Sequence, residues 1–514
     1  MKTLYIYPAI SDTFWSFRHA LSFVGKKSAF PPLGLLTIAA MSPKKWEKRL
    51  VDINTTTLTD EDIRWADMVF ITAMHVQRAS VKKVIEQCRG LNKTIVAGGP
   101  YFTTAEEDFS AIDHRFLGEA EETFPAFLAD LERDTPQRLY AASSRPDLSL
   151  APIPAWELID MRSYDSMLVQ FSRGCPFDCE FCNITQLGGR RPRTKTPAQF
   201  IAEIDALHRR GWHGSVFVVD DNFIGNKAKV KEMLKALAAW MDTHGRPFHF
   251  FTEASINLAE DAELIELMTQ AGFNKVFIGI ETPNKASLEE AGKTNNLRGN
   301  LLQAVRNIHA GGLEVMGGFI VGFDHDTPAI FERQIAFIQH SGIIMPMVGL
   351  LEALPGTRLY QRLQSEGRLR ELTSGDNTDG KMNFIPKMDM HTLQAGYHRV
   401  PEGIYAPQAY YARCLTFLDA YRPRNISKIN PSGIMALFRS MWRIGVKNES
   451  RFRAYYWRLL IHSLKINPRT LGEVVRLAIV GLHFRTALLK RAPEGISGID
   501  QVSKRPAFRS HYAT

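Results

Sequence analysis

Between residues 165 and 352 the chain repeats one rhythm six times: a short apolar run, then a stretch with helical periodicity. The runs are SMLVQFS (166–172), SVFVVDD (215–221), FHFFTEA (248–254), KVFIGIE (275–281), EVMGGFIVG (314–322) and MPMVGLLEA (345–353). Strands separated by helices pair in parallel through right-handed crossovers, because a twisted strand feeding a right-handed helix packs back onto its sheet only that way. Six units are too few to close an eight-stranded barrel and enough for a partial one, a (β/α)6 barrel. Chemistry on such barrels gathers at the carboxyl ends of the strands.

Directly after the first of these strands come Cys175, Cys179 and Cys182, three of only five cysteines in 514 residues. That number excludes a disulfide framework. Three thiolates on one loop suit three irons of a [4Fe–4S] cluster and leave the fourth iron open. A structural zinc site wants a fourth ligand, commonly from a second CxxC or a His pair. Neither follows nearby, and His208 falls within a helical pattern.

Residues 1–140 also alternate strands with helices. TLYIYPA (3–9), KRLVDIN (48–54), DMVFITAM (67–74), KTIVAGG (93–99) and HRFLGEAE (114–121) read as strands, with helical segments near 33–42, 77–90 and 121–132. The expectation is a doubly wound parallel sheet whose ligand lies beyond the carboxyl ends of its strands. Those ends carry the loop 10–30, His75, Gly98-Gly99-Pro100 and Gly118-Glu119. No GxGxxG opens a helix, which disfavours a dinucleotide. The aromatics Phe14, Trp15 and Phe17 flank either a ligand or a local core. A proline-rich linker is expected over 141–164, the barrel over 165–360, a mainly helical domain over 361–490 and a flexible tail over 491–514.

Charge is unevenly spread. The net +9 divides into +14 over residues 421–510 and −5 elsewhere. Helical stretches such as RFRAYYWRLLIHSLK interleave basic and apolar residues, a pattern suited either to an anionic membrane surface or to an ordinary helical subdomain with a solvated basic face. No nucleic-acid-binding motif accompanies the charge. No run of about 18 apolar residues marks a membrane span. The N-terminus reads as a strand rather than a leader, so the expected location is cytoplasmic, with peripheral membrane contact through the basic domain.

CPFDCEFC, on the loop after the first strand of a six-unit barrel, resembles the CxxxCxxC signature of the radical S-adenosylmethionine (SAM) superfamily. The resemblance implies that Cys175, Cys179 and Cys182 hold the cluster, that SAM chelates the open iron, and that reductive cleavage yields a 5′-deoxyadenosyl radical. It implies SAM contacts at Phe181, Asp221, Asn222, Glu253, Ser255, Gly279, Glu281, Gly318 and Gly322. Asp220-Asp221-Asn222-Phe223 departs from the family's usual Gly-Gly-Glu.

PPLGLLTIAA (31–40), VAGGPYFTT (96–104) and LGEAEE (117–122) are similar to the cobalamin-dependent subclass. With VVDDNFIGN, GIETPN, PGTRLY and NFIPKM they resemble the branch that includes hopanoid C-2 methylases. That resemblance implies cobalamin near His75, Gly98, Gly99, Pro100, Gly118 and Glu119, although no DxHxxG follows the first strand. It implies C-methylation of an unactivated carbon, a hydrophobic small-molecule or lipid substrate, and an external one-electron donor such as flavodoxin or ferredoxin. Radical cyclisation, oxidation or rearrangement without methyl transfer is one alternative. A non-catalytic iron–sulfur or cobalamin sensor is another.

Overall fold

The computed structural model describes residues 1–13, 16–424, 431–448, 450–466 and 470–491. Phe14, Trp15 and all but the first residue of the expected tail lie outside them.

The first sheet contains β1 (Lys2–Tyr7), β2 (Glu47–Asp52), β3 (Met68–Thr72), β4 (Thr94–Gly98), β5 (His114–Leu117) and β6 (Leu139–Ala141). All pair in parallel, in the order β2-β1-β3-β4-β5-β6. Both faces are buried, which follows from apolar residues at consecutive positions. Leu4, Ile6, Val69, Ile71, Ile95 and Ala97 enter one core. Tyr5, Phe70, Val96 and Phe116 enter the other. The strand order reverses at β1, because β2 lies on one side of it and β3 on the other. The crevice beyond β1 and β3 is therefore the place where such sheets bind ligands.

β6 falls just ahead of the expected linker, where its pairing with β5 left no sequence signal over three residues. The helix Arg18–Val24 lies inside the segment expected to be a loop and ends at Gly25, whose φ is 73°. Another unexpected helix, Asp60–Trp65, carries a capping box between Thr59 and Asp62.

The second sheet begins with β7 (Ser166–Val169). A two-residue antiparallel ladder follows, β8 (Ser172–Arg173) with β9 (Arg193–Thr194). Then come β10 (Gly214–Val218), β11 (Phe248–Ala254), β12 (Phe273–Glu281), β13 (Glu314–Val321) and β14 (Pro346–Leu350). The order β14-β13-β12-β11-β10-β7 is parallel throughout. This is the open six-unit barrel expected.

Helices cover the C-terminal region: Met390–Tyr405, Pro407–Ala420, Pro431–Arg443, Ser450–Ile466 and Leu471–Arg491. Pro431 starts a helix, a position where its missing N–H costs nothing. No helix among the described residues is long and apolar enough to cross a membrane.

Candidate functional site

The cysteine loop is held at both ends by main-chain bonds. Cys175 N–H donates to Gly189 O at 3.0 Å, and Cys182 N–H to Cys179 O at 3.1 Å. Gly174 precedes the loop with φ 94°, and a Cβ there would stand 2.7 Å from the carbonyl oxygens of Gly188 and Gly189. Only glycine closes the loop at that point. All three thiols are free of disulfides. Burial pushes each one up, Cys182 to about 12.

The Asp220-Asp221-Asn222 triplet after β10 secures this loop. Asp220 is buried and accepts Phe171 N–H, Ser172 N–H and the Ser172 hydroxyl, all within 2.8 Å. Asp221 Oδ2 accepts Gly174 N–H at 2.8 Å. Asn222 turns toward the cysteines, its Nδ2 3.7 Å from Cys175 Sγ, while its Oδ1 accepts from Ser255 N–H and Oγ–H at 3.3 Å. The expected SAM residues Asn222 and Ser255 thus form one unit beside Cys175. Asp221 spends one oxygen on the loop and also borders the cavity described below.

Lys293 gave no signal in the sequence. Its Nζ pairs with Glu281 Oε1 at 2.7 Å, and Glu281 sits at the end of β12 with φ 62°. A Cβ at Gly279 would strike Glu281 Oε1 and stand 2.9 Å from Lys293 Nζ, so glycine makes room for the pair. Lys293 stays cationic, and its charge favours the thiolate form of Cys175, Cys179 and Cys182. A cation beside a thiol is the usual way to stabilise a thiolate.

Phe181 meets Phe323 edge-on, with centroids 6.3 Å apart. Gly318 lies so close to Phe277 that an added Cβ would stand 2.9 Å from its ring. Gly322 has φ 105° and donates N–H to Asp326 at 3.0 Å. The PGTRLY segment and the residues after it clamp the loop from outside: Leu359 N–H donates to Glu180 O at 3.0 Å, and Arg362, two residues beyond the segment, pairs with Glu180 at 2.6 Å.

On the N-terminal sheet, Gly99 has φ 96° and ψ −177°, a region open in practice only to glycine. A side chain there would run into Thr72 Oγ1. Pro100 opens the short helix Pro100–Thr104. Gly118 has φ 80° with open space where a Cβ would stand. His75 Nε2 lies 2.8 Å from Thr104 Oγ1, whose hydroxyl donates onward to Pro100 O. Nε2 of His75 is thus engaged by Thr104. Burial lowers its pKa. Glu119 turns toward the barrel, where it pairs with Arg173 at 2.7 Å and with Arg193. It joins the two sheets through the strand that leads into the cysteine loop.

A cavity of 1910 Å³ is lined by both the first sheet and the barrel; the three cysteines do not line it, but Asn183 and Ile184, directly after Cys182, do. His75, Gly98, Gly99, Pro100, Gly118 and Glu119 all border it, as do Asp221 and Glu253 from the barrel. Its volume is about twice the upper end for single small-molecule sites. Phe217 and Phe251 stack at 4.5 Å within the barrel, beside Phe30 and Phe277. Glu253 is pushed to about 7 by burial, with the charges of Asp221 and Asp220 adding to the effect. Three cysteine donors without a fourth fit a cluster that keeps one iron open. The glycine rim and the apolar cavity fit a large planar ligand above the first sheet.

Family comparisons agree with this layout. Residues 26–128 match the B12 binding domain, residues 169–338 match the radical SAM superfamily, and residues 357–493 match a domain of unknown function, DUF4070. An uncharacterized methyltransferase of Synechocystis, sll1242, is 40% identical over 94% of this chain and 91% of its own length. The hopanoid C-2 methylase of Rhodopseudomonas palustris is 35% identical over 98% of this chain and 96% of its own. Among solved structures, the cobalamin-dependent radical enzyme OxsB shares the fold with TM-score 0.62 at 12% identity, covering 95% of this chain and 80% of its own. The methyltransferase TsrM from Kitasatospora setae does so with TM-score 0.60 at 13% identity, covering 93% and 98%. With relatives 35% and 40% identical along nearly the whole chain, and both the B12 binding and radical SAM domains matched, the chain belongs to the cobalamin-dependent radical SAM enzymes, among their methyltransferases.

Proposed function

We propose that this enzyme methylates an unactivated carbon of an apolar small molecule or lipid. The reading rests on one observation: a single cavity is bordered both by the glycine rim of the B12-type sheet and by the barrel end that carries the cysteine loop. We assign residues 1–140 to cobalamin binding, 165–360 to the radical SAM barrel and 361–490 to a helical domain that closes it. When bound, the cluster and SAM supply a 5′-deoxyadenosyl radical and cobalamin supplies the methyl group.

The protein's part is position and exclusion of water. Cys175, Cys179 and Cys182 hold the cluster, with Lys293 balancing their charge. Asn222 and Ser255 orient SAM beside Cys175; Phe181, Glu253, Gly279, Gly318 and Gly322 border its remaining parts. Gly98, Gly99, Pro100 and Gly118 let the corrin approach the backbone, and Glu119 locks that sheet to the barrel. His75, whose Nε2 is hydrogen-bonded to Thr104, would border the bound cobalamin. An external flavodoxin or ferredoxin delivers electrons.

Anaerobic reconstitution with iron, sulfide and hydroxocobalamin tests this. The expected result is about four irons per chain, as for a [4Fe–4S] cluster, together with equimolar cobalamin. A full cluster with no retained cobalamin would overturn methyl transfer by this route.

A further inference from the structure

Helix Pro431–Arg443 is apolar on two sides. Ala436 and Ser440 are buried against the rest of the protein. The opposite side carries Ile434, Phe438 and Trp442 at four-residue spacing, and these are 48%, 61% and 56% exposed. Met435, and Val446 just beyond the helix, extend the same surface. The next helix, Ser450–Ile466, adds exposed Trp457, Ile461 and Leu464. Large exposed apolar side chains grouped on two successive helices mark an interaction site.

Its surroundings are cationic. Residues 431–466 hold seven Lys or Arg and one acid, Glu449. The Lys447 ammonium lies 5.2 Å over the Trp442 ring. Apolar side chains ringed by lysine and arginine complement an anionic bilayer, into which the rings insert while the cations meet headgroups.

The large cavity reaches this face. Gly433, Ile434, Ala436 and Leu437 border it, and Ile434 is itself half exposed on the apolar surface. From there the lining continues past Leu471, Val475 and Met345 to Lys275 and His249, near the amino ends of β12 and β11, and on to Phe217 and Phe251 in the barrel. One residue thus belongs both to the exposed patch and to the route toward the site.

We infer that helices Pro431–Arg443 and Ser450–Ile466 dock on an anionic lipid bilayer, and that apolar substrate passes from it into the cavity beside Ile434 and Leu437. The substrate's route rests on the proposed function; the docking does not. The substrate enters at the barrel's amino end, opposite the cysteines.

The reconstituted holoenzyme is sedimented with vesicles of equal parts phosphatidylglycerol and phosphatidylcholine, and with phosphatidylcholine alone. Binding is expected to the first and to fall about tenfold or more in Phe438→Ser/Trp442→Ser. A phosphatidylcholine bearing an acyl-chain diazirine, mixed into the anionic vesicles, is expected to label the peptide containing Ile434 and Leu437. Deoxyadenosine formation from SAM in the same preparations is expected to be unchanged by the double variant. Its failure in both proteins would count against the proposed function alone. Equal vesicle binding by wild type and variant would overturn the docking. So would a wild-type dimer that the variant dissociates, since the patch would then join two copies. Labelling confined to other segments would overturn the route.

Discussion

Lys293 and Glu253 act in opposite directions on the charge around the cysteine loop. Lys293 is paired with Glu281 and faces the thiolates, so Lys293→Gln removes a cation and strands a buried carboxylate. Breaking a buried pair from one side costs about 3–5 kcal/mol. A denaturant titration should show that loss, and an EPR-monitored redox titration should show a more negative cluster potential. An unchanged potential would mean that the cluster does not sense Lys293. Glu253 is held near 7 by burial. Its folded pKa lies above its unfolded value, so its stabilising contribution is full below about 4.3 and is lost as pH rises through about 7. Glu253→Gln is neutral throughout. It should therefore melt higher than wild type at pH 8, by on the order of 2 °C, and equally at pH 4. A difference that persists at pH 4 would contradict this.

At the scale of elements, Gly99 is a position where backbone conformation admits glycine alone. Gly99→Ala must leave a region of φ and ψ open in practice only to glycine, at a cost of about 1–3 kcal/mol, and must displace Thr72. The variant should keep its iron and lose cobalamin, read by iron assay and by the visible spectrum of the retained corrin. Both sheets were legible in the sequence because their strands are short, apolar and separated by helical periodicity. The cysteine loop was legible because three rare residues share one spacing. The strand ends pointed to residues that the fold places around the cysteine loop and the cavity, yet hydrogen-bond direction was beyond reach. Asp220 and Asp221 fasten the loop instead of simply facing a ligand, and Glu119 faces arginines of the barrel. Lys293 was invisible because it lies twelve residues beyond Glu281 in a loop without periodic pattern. β6 was too short to announce itself, and its strand character comes from pairing with β5.

For the whole molecule, the two sheets work as one device because charged and polar side chains tie them together. Arg173 bridges Glu119 and Glu121 at 2.7 Å each, and the Tyr164 hydroxyl donates to Asp52 at 2.9 Å. These contacts bring the glycine rim and the barrel end that flanks the cysteine loop onto one cavity, which no local sequence pattern announces. The C-terminal helices line its far end, more than a hundred residues after the barrel strands they meet. In the function proposed above, the cysteine loop drives radical cleavage of SAM. The direct measurement is 5′-deoxyadenosine released from SAM by reconstituted enzyme under a strong reductant, wild type against Cys179→Ala. The account predicts steady release by wild type and none above background by the variant. A fully iron-loaded wild type that releases none, or a variant that releases as much as wild type, would contradict it.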